Sequence, residues 1–251
     1  MISFVGAGPG DVELITVKGQ RRLKEADVII FAGSLVSDEH LKVAKDGCEF
    51  HNSAKMHLDQ VLDVMRKANN EGKKLVRLHT GDPTIYGAIQ EQMDALEREG
   101  IEYEIIPGVS SFTAAATAIK REFTLPDVSQ TVILTRIEGK TPVPEEENLV
   151  SLAKHKASMA IFLSVQDIDR VMQKLIEGYG NPDTPVAVVY RASWSDQEIV
   201  TGTLSTIAEK VKAAGIRKQA QILVGDFINA DYSLSKLYDR TFSTEYRKGE
   251  K

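Results

Sequence analysis

Three glycine-containing segments, each directly after a short apolar run, are the features of this sequence best suited to chemistry. They read V-G-A-G-P-G-D at 5–11, T-G-D-P-T-I-Y-G at 80–87 and P-G-V-S-S at 107–111. Glycine allows a backbone turn to approach a ligand closely. In an open α/β sheet, the carboxyl ends of the strands face a shared ligand crevice. If the apolar runs are such strands, the three segments predict one composite binding site.

A nucleotide site is one alternative for these glycines. Residues 5–11 resemble the dinucleotide pattern G-x-G-x-x-G, but Pro9 has no backbone N–H for a phosphate, and the third glycine comes one place early. The run ending at Phe31 is not followed by the acidic residue that would hold a ribose. Gly139-Lys140-Thr141 resembles a phosphate loop, but Leu134 replaces its first glycine. A dinucleotide-dependent oxidoreductase is therefore disfavoured.

Asp82 has two interpretations, since it either hydrogen-bonds within a site or caps the helix that follows. The five histidines, at 40, 51, 57, 79 and 155, lack the spacing of a helical metal motif, so no metal site is predicted. Structural or surface roles are expected for most of them. His79 is the exception because it adjoins the second glycine segment.

The hydrophobic periodicity predicts the elements that must position these segments. In the first half, strands are predicted at 2–5, 28–31, 48–51, 74–78 and 103–106, with helices at 58–71, 86–99 and through 114–118, the last capped by Ser110 or Ser111. In the second half, strands are predicted at 131–135, 159–164, 186–191, 198–201 and 222–227, with helices near 167–178 and 204–214. The short loop before residue 198 predicts a hairpin.

These elements predict an α/β fold with two α/β domains, a mostly parallel sheet in the first and a mixed sheet in the second. The predicted domains are residues 1–118 and 119–232, followed by a polar tail at 233–251.

Composition narrows the function classes. The net charge of −5, without any dense basic run, argues against nucleic acid as a partner. The single cysteine, Cys48, excludes an internal disulfide and favours a reducing compartment, so we expect a cytoplasmic protein. We find no apolar run of about 18 residues, as a membrane span would need.

In their order and spacing, the three glycine segments resemble the tetrapyrrole (corrin/porphyrin) methylase family. The resemblance continues through T-P-V-A-V-V at 184–189 and I-V-T-G-T-L at 199–204, and covers about residues 1–230. Residues 33–36, His79, 122–126 and 129–131 are most similar to the members that methylate a ring carbon of a corrin precursor.

The resemblance implies S-adenosylmethionine as the cofactor, a cofactor cleft between the two domains and a homodimer. The cofactor contacts carried over are Pro9, Thr80, Gly81, Asp82, Ile85, Tyr86, Ser110, Ser111, Leu163 and Ala192. The tetrapyrrole substrate carries acetate and propionate groups, so an acidic protein needs local positive charge to bind it. The candidates, in or beside predicted strand-end or interdomain loops, are Lys55, Lys120, Arg121, Arg136 and Arg191.

Other functions remain open at this point. Related methylases act on uroporphyrinogen III or other precorrins, on ribosomal RNA, or on a modified protein histidine, and RNA is disfavoured by the missing basic patch. A non-enzymatic ligand-binding protein is a further alternative. No residue is singled out as a catalytic base.

Overall fold

The structure is a computed structural model that describes residues 1–250, apart from the side chain of Ser34. Its strands are β1 (Ile2–Gly6), β2 (Val28–Phe31), β3 (Glu49–Asn52), β4 (Leu75–His79), β5 (Tyr103–Ile106), β6 (Val132–Arg136), β7 (Ser158–Phe162), β8 (Pro185–Tyr190), β9 (Glu198–Thr203) and β10 (Ala220–Val224). Its α-helices are α1 (Val17–Glu25), α2 (Leu58–Asn70), α3 (Gln90–Arg98), α4 (Ser111–Ala118), α5 (Leu149–Ala153), α6 (Ile168–Tyr179) and α7 (Ile207–Ala213). Every strand predicted from the sequence is present, with ends that shift by a few residues at most.

The first five strands form one sheet in the order β3-β2-β4-β1-β5. All of its pairings are parallel, which confirms the mostly parallel sheet predicted for the first half of the chain. Because parallel strands point the same way, all five carboxyl ends lie along one edge.

Both faces of this sheet are covered, as its apolar strands require. On one face, Phe4 and Ile30 pack with Met65 of α2 and Leu96 of α3. On the other face, alternating strand residues such as Ile29 and Val76 pack with the α1 region. Strands β1, β2, β4 and β5 thus contribute to both cores, since successive side chains point to opposite faces.

The second sheet has the order β6-β7-β10-β8-β9 and is mixed, as predicted. Strands β6 and β7 are parallel, whereas β10 runs antiparallel to both β7 and β8. Strands β8 and β9 are antiparallel, which confirms the predicted hairpin. The two sheets with their helices confirm the α/β fold class.

The helix predicted from residue 86 begins later, at Gln90. The reason is local, because Tyr86 and Ala88 have φ angles of 55° and 50°, which a right-handed helix does not tolerate. Residues 83–89 are instead a tight loop between β4 and α3. Helices α1 and α5 were not located from the sequence; they begin after the capping side chains of Thr16 and Asn148.

By internal contacts, the chain divides into two compact units. The first comprises Met1–Ala114 together with Arg191–Gln197, the loop between β8 and β9. The second comprises Ala115–Tyr190 and the chain from Glu198 onward. In the part of the chain that the structure describes, no helix has both the length and the apolar character needed to cross a membrane.

Candidate active site

The three glycine segments follow β1, β4 and β5, which are neighbours in the parallel sheet, so their turns lie side by side at its carboxyl edge. The first two turns are hydrogen-bonded to each other through their backbones. Gly81 N donates to Gly8 O at 2.8 Å, and Gly8 N donates to Gly81 O at 3.3 Å. This arrangement confirms that the turns converge.

Glycine is required where the first and third turns meet the second. A Cβ atom at Gly6 would lie 2.6 Å from the carbonyl oxygen of Gly81, and one at Gly108 would lie 2.2 Å from the same oxygen. Either distance is a steric clash with backbone, which cannot move aside as a flexible side chain can. The contact therefore explains why these two strand ends need residues without a side chain.

Asp82 joins the second turn to the third. Its Oδ2 accepts a hydrogen bond from Gly108 N at 2.9 Å, while its Oδ1 accepts from Thr84 N at 2.8 Å and from the Thr84 hydroxyl. No α-helix begins here, since α3 starts only at Gln90. The helix-cap interpretation of Asp82 is therefore wrong, and the carboxylate stabilises the turns themselves.

A fourth segment, the loop 191–197, completes this edge. The indole nitrogen of Trp194 donates to Pro9 O at 2.8 Å, and Asp11 N donates to the Ser193 hydroxyl at 3.0 Å. The indole packs so closely on the first turn that a Cβ at Gly10 would lie 2.1 Å from its Cδ1 atom. Trp194 thus fixes the Pro9 turn, although sequence reasoning did not select it.

Two basic side chains on β4 are buried on the α2 and α3 face of the sheet. His79 is 5% exposed and its ring lies 6.2 Å from that of Phe4. Burial, with the positive charge of Arg77, lowers the pKa of His79 to about 3, so the imidazole is neutral. Arg77 is 8% exposed, and burial lowers its pKa to about 10. Among the described residues, His79 Nε2 and Arg77 Nε have no hydrogen-bond partner.

Comparison with known proteins identifies the family. Residues 1–208 match the family described as Tetrapyrrole (Corrin/Porphyrin) Methylases. This chain belongs to that family.

Individual relatives are similar over nearly the whole methylase chain. The cobalt-precorrin-4 C(11)-methyltransferase of Methanocaldococcus jannaschii is 60% identical over 251 residues, which cover 100% of this chain and 97% of the relative. The enzyme of the same name from Priestia megaterium is 50% identical, covering 99% of this chain and 98% of the relative. A crystal structure of a cobalt precorrin-4 methyltransferase superimposes with a TM-score of 0.89 at 50% identity, covering 91% of this chain and 96% of that one.

The remaining cofactor residues expected in the methylase occupy several environments. Ser110, which is 7% exposed, directly precedes α4, and the position of a Gly81 Cβ is 3.7 Å from Ser110 Cα and from Ser111 N. Ile85 is half-buried, whereas Tyr86 is 45% exposed. Ala192 is buried in the loop 191–197. These residues belong to the same unit as the three turns, and their role in binding stays a prediction.

Leu163 belongs to the second unit, directly after β7. Its side chain is 64% exposed and its φ is 53°, a left-handed conformation that is rare for leucine. An exposed leucine in a strained turn is typical of a functional position rather than of core packing. Its contact with the cofactor also stays a prediction.

The five basic residues expected to bind substrate differ in what they contact. Arg121 donates to the carbonyl of Ile228, and Arg136 donates to the carbonyls of Ile137, Thr141 and Pro142. Both guanidinium groups are therefore engaged in hydrogen bonds to backbone carbonyls. Arg191 pairs with Asp196 and stacks on Trp194, with its guanidinium carbon 4.0 Å from the ring centroid. Lys55 and Lys120 are exposed.

Within residues 1–250, no cluster of three or more His, Cys, Asp and Glu side chains could hold a metal ion. The site consists of backbone turns, hydroxyl groups, the Asp82 carboxylate and the Trp194 ring.

Proposed function

We propose that this chain is an S-adenosylmethionine-dependent C-methyltransferase that acts on C-11 of cobalt-precorrin-4 or precorrin-4 in cobalamin biosynthesis. The main support is identity of 60% and 50%, over nearly the full chain, to relatives named as cobalt-precorrin-4 C(11)-methyltransferases. Residues 33–36, His79 and 122–126 are the motif positions that favour this member of the family over its other branches.

The proposed cofactor residues are Pro9, Thr80, Gly81, Asp82, Ile85, Tyr86, Ser110, Ser111, Leu163 and Ala192. The charge of the three turns fits a cationic sulfonium, because segments 5–11, 80–87 and 107–111 contain Asp11 and Asp82 but neither lysine nor arginine. A dinucleotide would instead bring phosphates next to two carboxylates. The acidic turns therefore favour S-adenosylmethionine over the dinucleotide of an oxidoreductase.

S-adenosylmethionine supplies an activated methyl group, and the reduced macrocycle supplies an electron-rich carbon. The turns then have to hold both groups in line at close contact, which contributes up to about 7–11 kcal/mol of barrier lowering. Their rigidity serves this role, since Asp82 and the Gly8–Gly81 backbone bonds fix the turns relative to one another. Neutral, buried His79 is unsuited to accept the proton released after transfer.

A homodimer and a cytoplasmic location are further parts of the proposal. The homodimer comes from the family resemblance, and the location is supported by the single cysteine. Several large apolar side chains of the tail are exposed, among them Leu234 at 85% and Tyr238 at 81%, and we include them in the proposed contact with the second copy. Light scattering of the intact protein and of a variant with Leu234→Ser and Tyr238→Ser measures the assembly.

Calorimetry with S-adenosylhomocysteine tests the cofactor, and mass spectrometry after incubation with methyl-labelled S-adenosylmethionine tests the reaction. We expect binding, followed by one labelled methyl group at C-11 of cobalt-precorrin-4. Labelling of uroporphyrinogen III or of another ring carbon would support a different family member. Binding without any transfer would support a ligand-binding protein, and the absence of binding would refute the proposed class.

A further inference from the structure

A cavity of about 380 Å³ opens beside the glycine turns at the same edge of the parallel sheet. Phe31 and Asn52, the last residues of β2 and β3, line it from the sheet, and Arg191 and Trp194 line it from the loop 191–197. Val36 and Asp38 are also part of its wall. We call these six residues the Arg191 pocket. Its volume lies within the roughly 300–1,000 Å³ of small-molecule sites.

The position of the pocket follows from the strand order. The glycine turns follow β4, β1 and β5, whereas the Arg191 pocket lies over β2 and β3, which continue the same sheet next to β4. Trp194 belongs to both places, since it lines the pocket and donates to Pro9 O. A molecule in the pocket is therefore adjacent to a molecule held by the turns.

Arg191, which lines this pocket, retains one hydrogen-bond donor that is unpaired within the described chain. Its Nη1 binds Asp196, and its guanidinium lies flat on the Trp194 ring. Its Nε is buried and has no hydrogen-bond partner among the described residues. Native proteins rarely leave a buried donor unpaired, and such groups often belong to binding sites. The φ of 44° at Arg191 is a further mark of a residue held in place by its surroundings.

We propose that the Arg191 pocket binds a carboxylate-bearing edge of the tetrapyrrole, with the carboxylate on Arg191 and the pyrrole edge against Trp194 and Phe31. This inference rests on the proposed function and assigns the place of the methyl acceptor within it. The guanidinium supplies paired N–H donors that match a carboxylate, and the aromatic rings supply an apolar surface for the macrocycle. Arg191 is thus a substrate-binding residue that selects for acidic side chains.

The surroundings of Arg191 favour it over the other basic residues as the group that binds the substrate carboxylate. Asp38 in the pocket wall is exposed, so solvent screens its charge, whereas the Arg191 side chain is only 24% exposed. Arg121 and Arg136 are occupied by backbone carbonyls. In the free protein, Asp196 compensates the charge of the partly buried Arg191. A bound substrate would add a second carboxylate next to the same guanidinium.

The test is the binding of cobalt-precorrin-4 to the full chain without cofactor. Trp194 is the only tryptophan, so quenching of its fluorescence reports binding of the tetrapyrrole to the protein, the variants below locate it, and the absorbance of the tetrapyrrole gives a second readout. For Arg191→Gln we expect the Kd for the tetrapyrrole to rise about 10- to 100-fold while S-adenosylhomocysteine binds as in the wild type. Arg191→Lys retains the charge without the planar fork and should lose less.

Two controls separate the guanidinium from the shape of its loop. Asp196→Asn removes the ion pair but leaves Arg191, so tetrapyrrole binding should be unchanged or tighter. Arg98→Gln, at an exposed position at the end of α3, should change neither Kd. If Arg191→Gln also weakens S-adenosylhomocysteine binding because the loop is damaged, the tetrapyrrole affinity of Arg191→Lys is compared with that of the wild type instead.

Unchanged tetrapyrrole binding in Arg191→Gln, or an equal loss in Asp196→Asn, would overturn the inference. Failure of the proposed function would appear in the wild type itself, as absence of methyl transfer to the tetrapyrrole. Failure of this inference appears only when the variants are compared with an active wild type.

Discussion

Asp82→Asn tests whether the convergence of the turns matters for cofactor binding. The carboxylate accepts from Gly108 N on one oxygen and from Thr84 on the other, and an asparagine side chain has only one oxygen to offer. Whichever way the amide turns, an N–H group faces a donor. A hydrogen bond from the backbone to a charged acceptor contributes about 1.5–3 kcal/mol.

Cofactor binding would have to restore the link between the second and third turns, so this loss appears in the affinity as well as in the stability. A loss of about 1.5–3 kcal/mol corresponds to a Kd weakened about 10- to 150-fold. Calorimetric titration with S-adenosylhomocysteine measures it, with circular dichroism to check that the variant is folded.

Asp239→Asn is the matched control for this substitution. Asp239 also accepts from a threonine two residues later, through Thr241 N and the Thr241 hydroxyl, but it lies in the tail and joins no second turn. The Asp239→Asn substitution should leave the affinity for S-adenosylhomocysteine unchanged. A folded Asp82→Asn protein that binds S-adenosylhomocysteine as tightly as the wild type would refute the assignment of these turns to the cofactor.

Three further predictions concern packing and protonation. Gly108→Ala should abolish detectable S-adenosylhomocysteine binding, because its Cβ would lie 2.2 Å from the Gly81 oxygen. Gly139→Ala is the control, since no atom lies within 4 Å of the added Cβ, and this variant should bind normally. Equal affinities of the two variants would show that the close approach of the turns does not matter for binding. Neutral His79 has a pKa of about 3 in the folded protein against about 6.5 unfolded, so protonation of the unfolded chain should cost about 2 kcal/mol of stability as the pH falls from 6.5 to about 4.5. Denaturant titrations of wild type and His79→Gln at both pH values measure this, and an equally steep loss in the variant would exclude His79 as its source. Trp194→Phe keeps an aromatic ring but loses the 2.8 Å bond to Pro9 O, so calorimetry should show weaker S-adenosylhomocysteine binding by about three- to tenfold; full affinity would mean that the bond does not support the turn.

The strands and the convergence of the turns were predictable because both depend on short-range patterns. Apolar runs such as 2–5 and 28–31 have the length and composition of buried strands, and glycines follow soon after them. Parallel strands then necessarily bring their carboxyl ends to one edge. The late start of α3 was not predictable in this way, because Tyr86 and Ala88 adopt left-handed conformations that are uncommon for residues other than glycine.

The contribution of the loop 191–197 was missed for a different reason. Its hydrogen bonds to the Pro9 turn join residues 185 and 182 positions apart, and no local pattern encodes such a pairing. The available signal was the lone tryptophan in a polar loop at a strand end, where a large ring is seldom placed without a packing partner. The hydrogen-bond partners of Arg121 and Arg136 were equally unpredictable from the sequence, because they are backbone carbonyls brought close by the fold.

Because Arg191–Gln197 belongs to the first unit, that unit cannot be completed until late in the synthesis of the chain on the ribosome. The ribosome completes the parallel sheet early, when residue 106 has emerged, but the indole that braces the Pro9 turn follows much later. A nascent chain can thus fold its first sheet while the turn after β1 still lacks its support, and distant contacts of this kind form slowly. A fragment ending near residue 118 would keep every strand of that sheet and still present an unbraced, poorly ordered ligand edge.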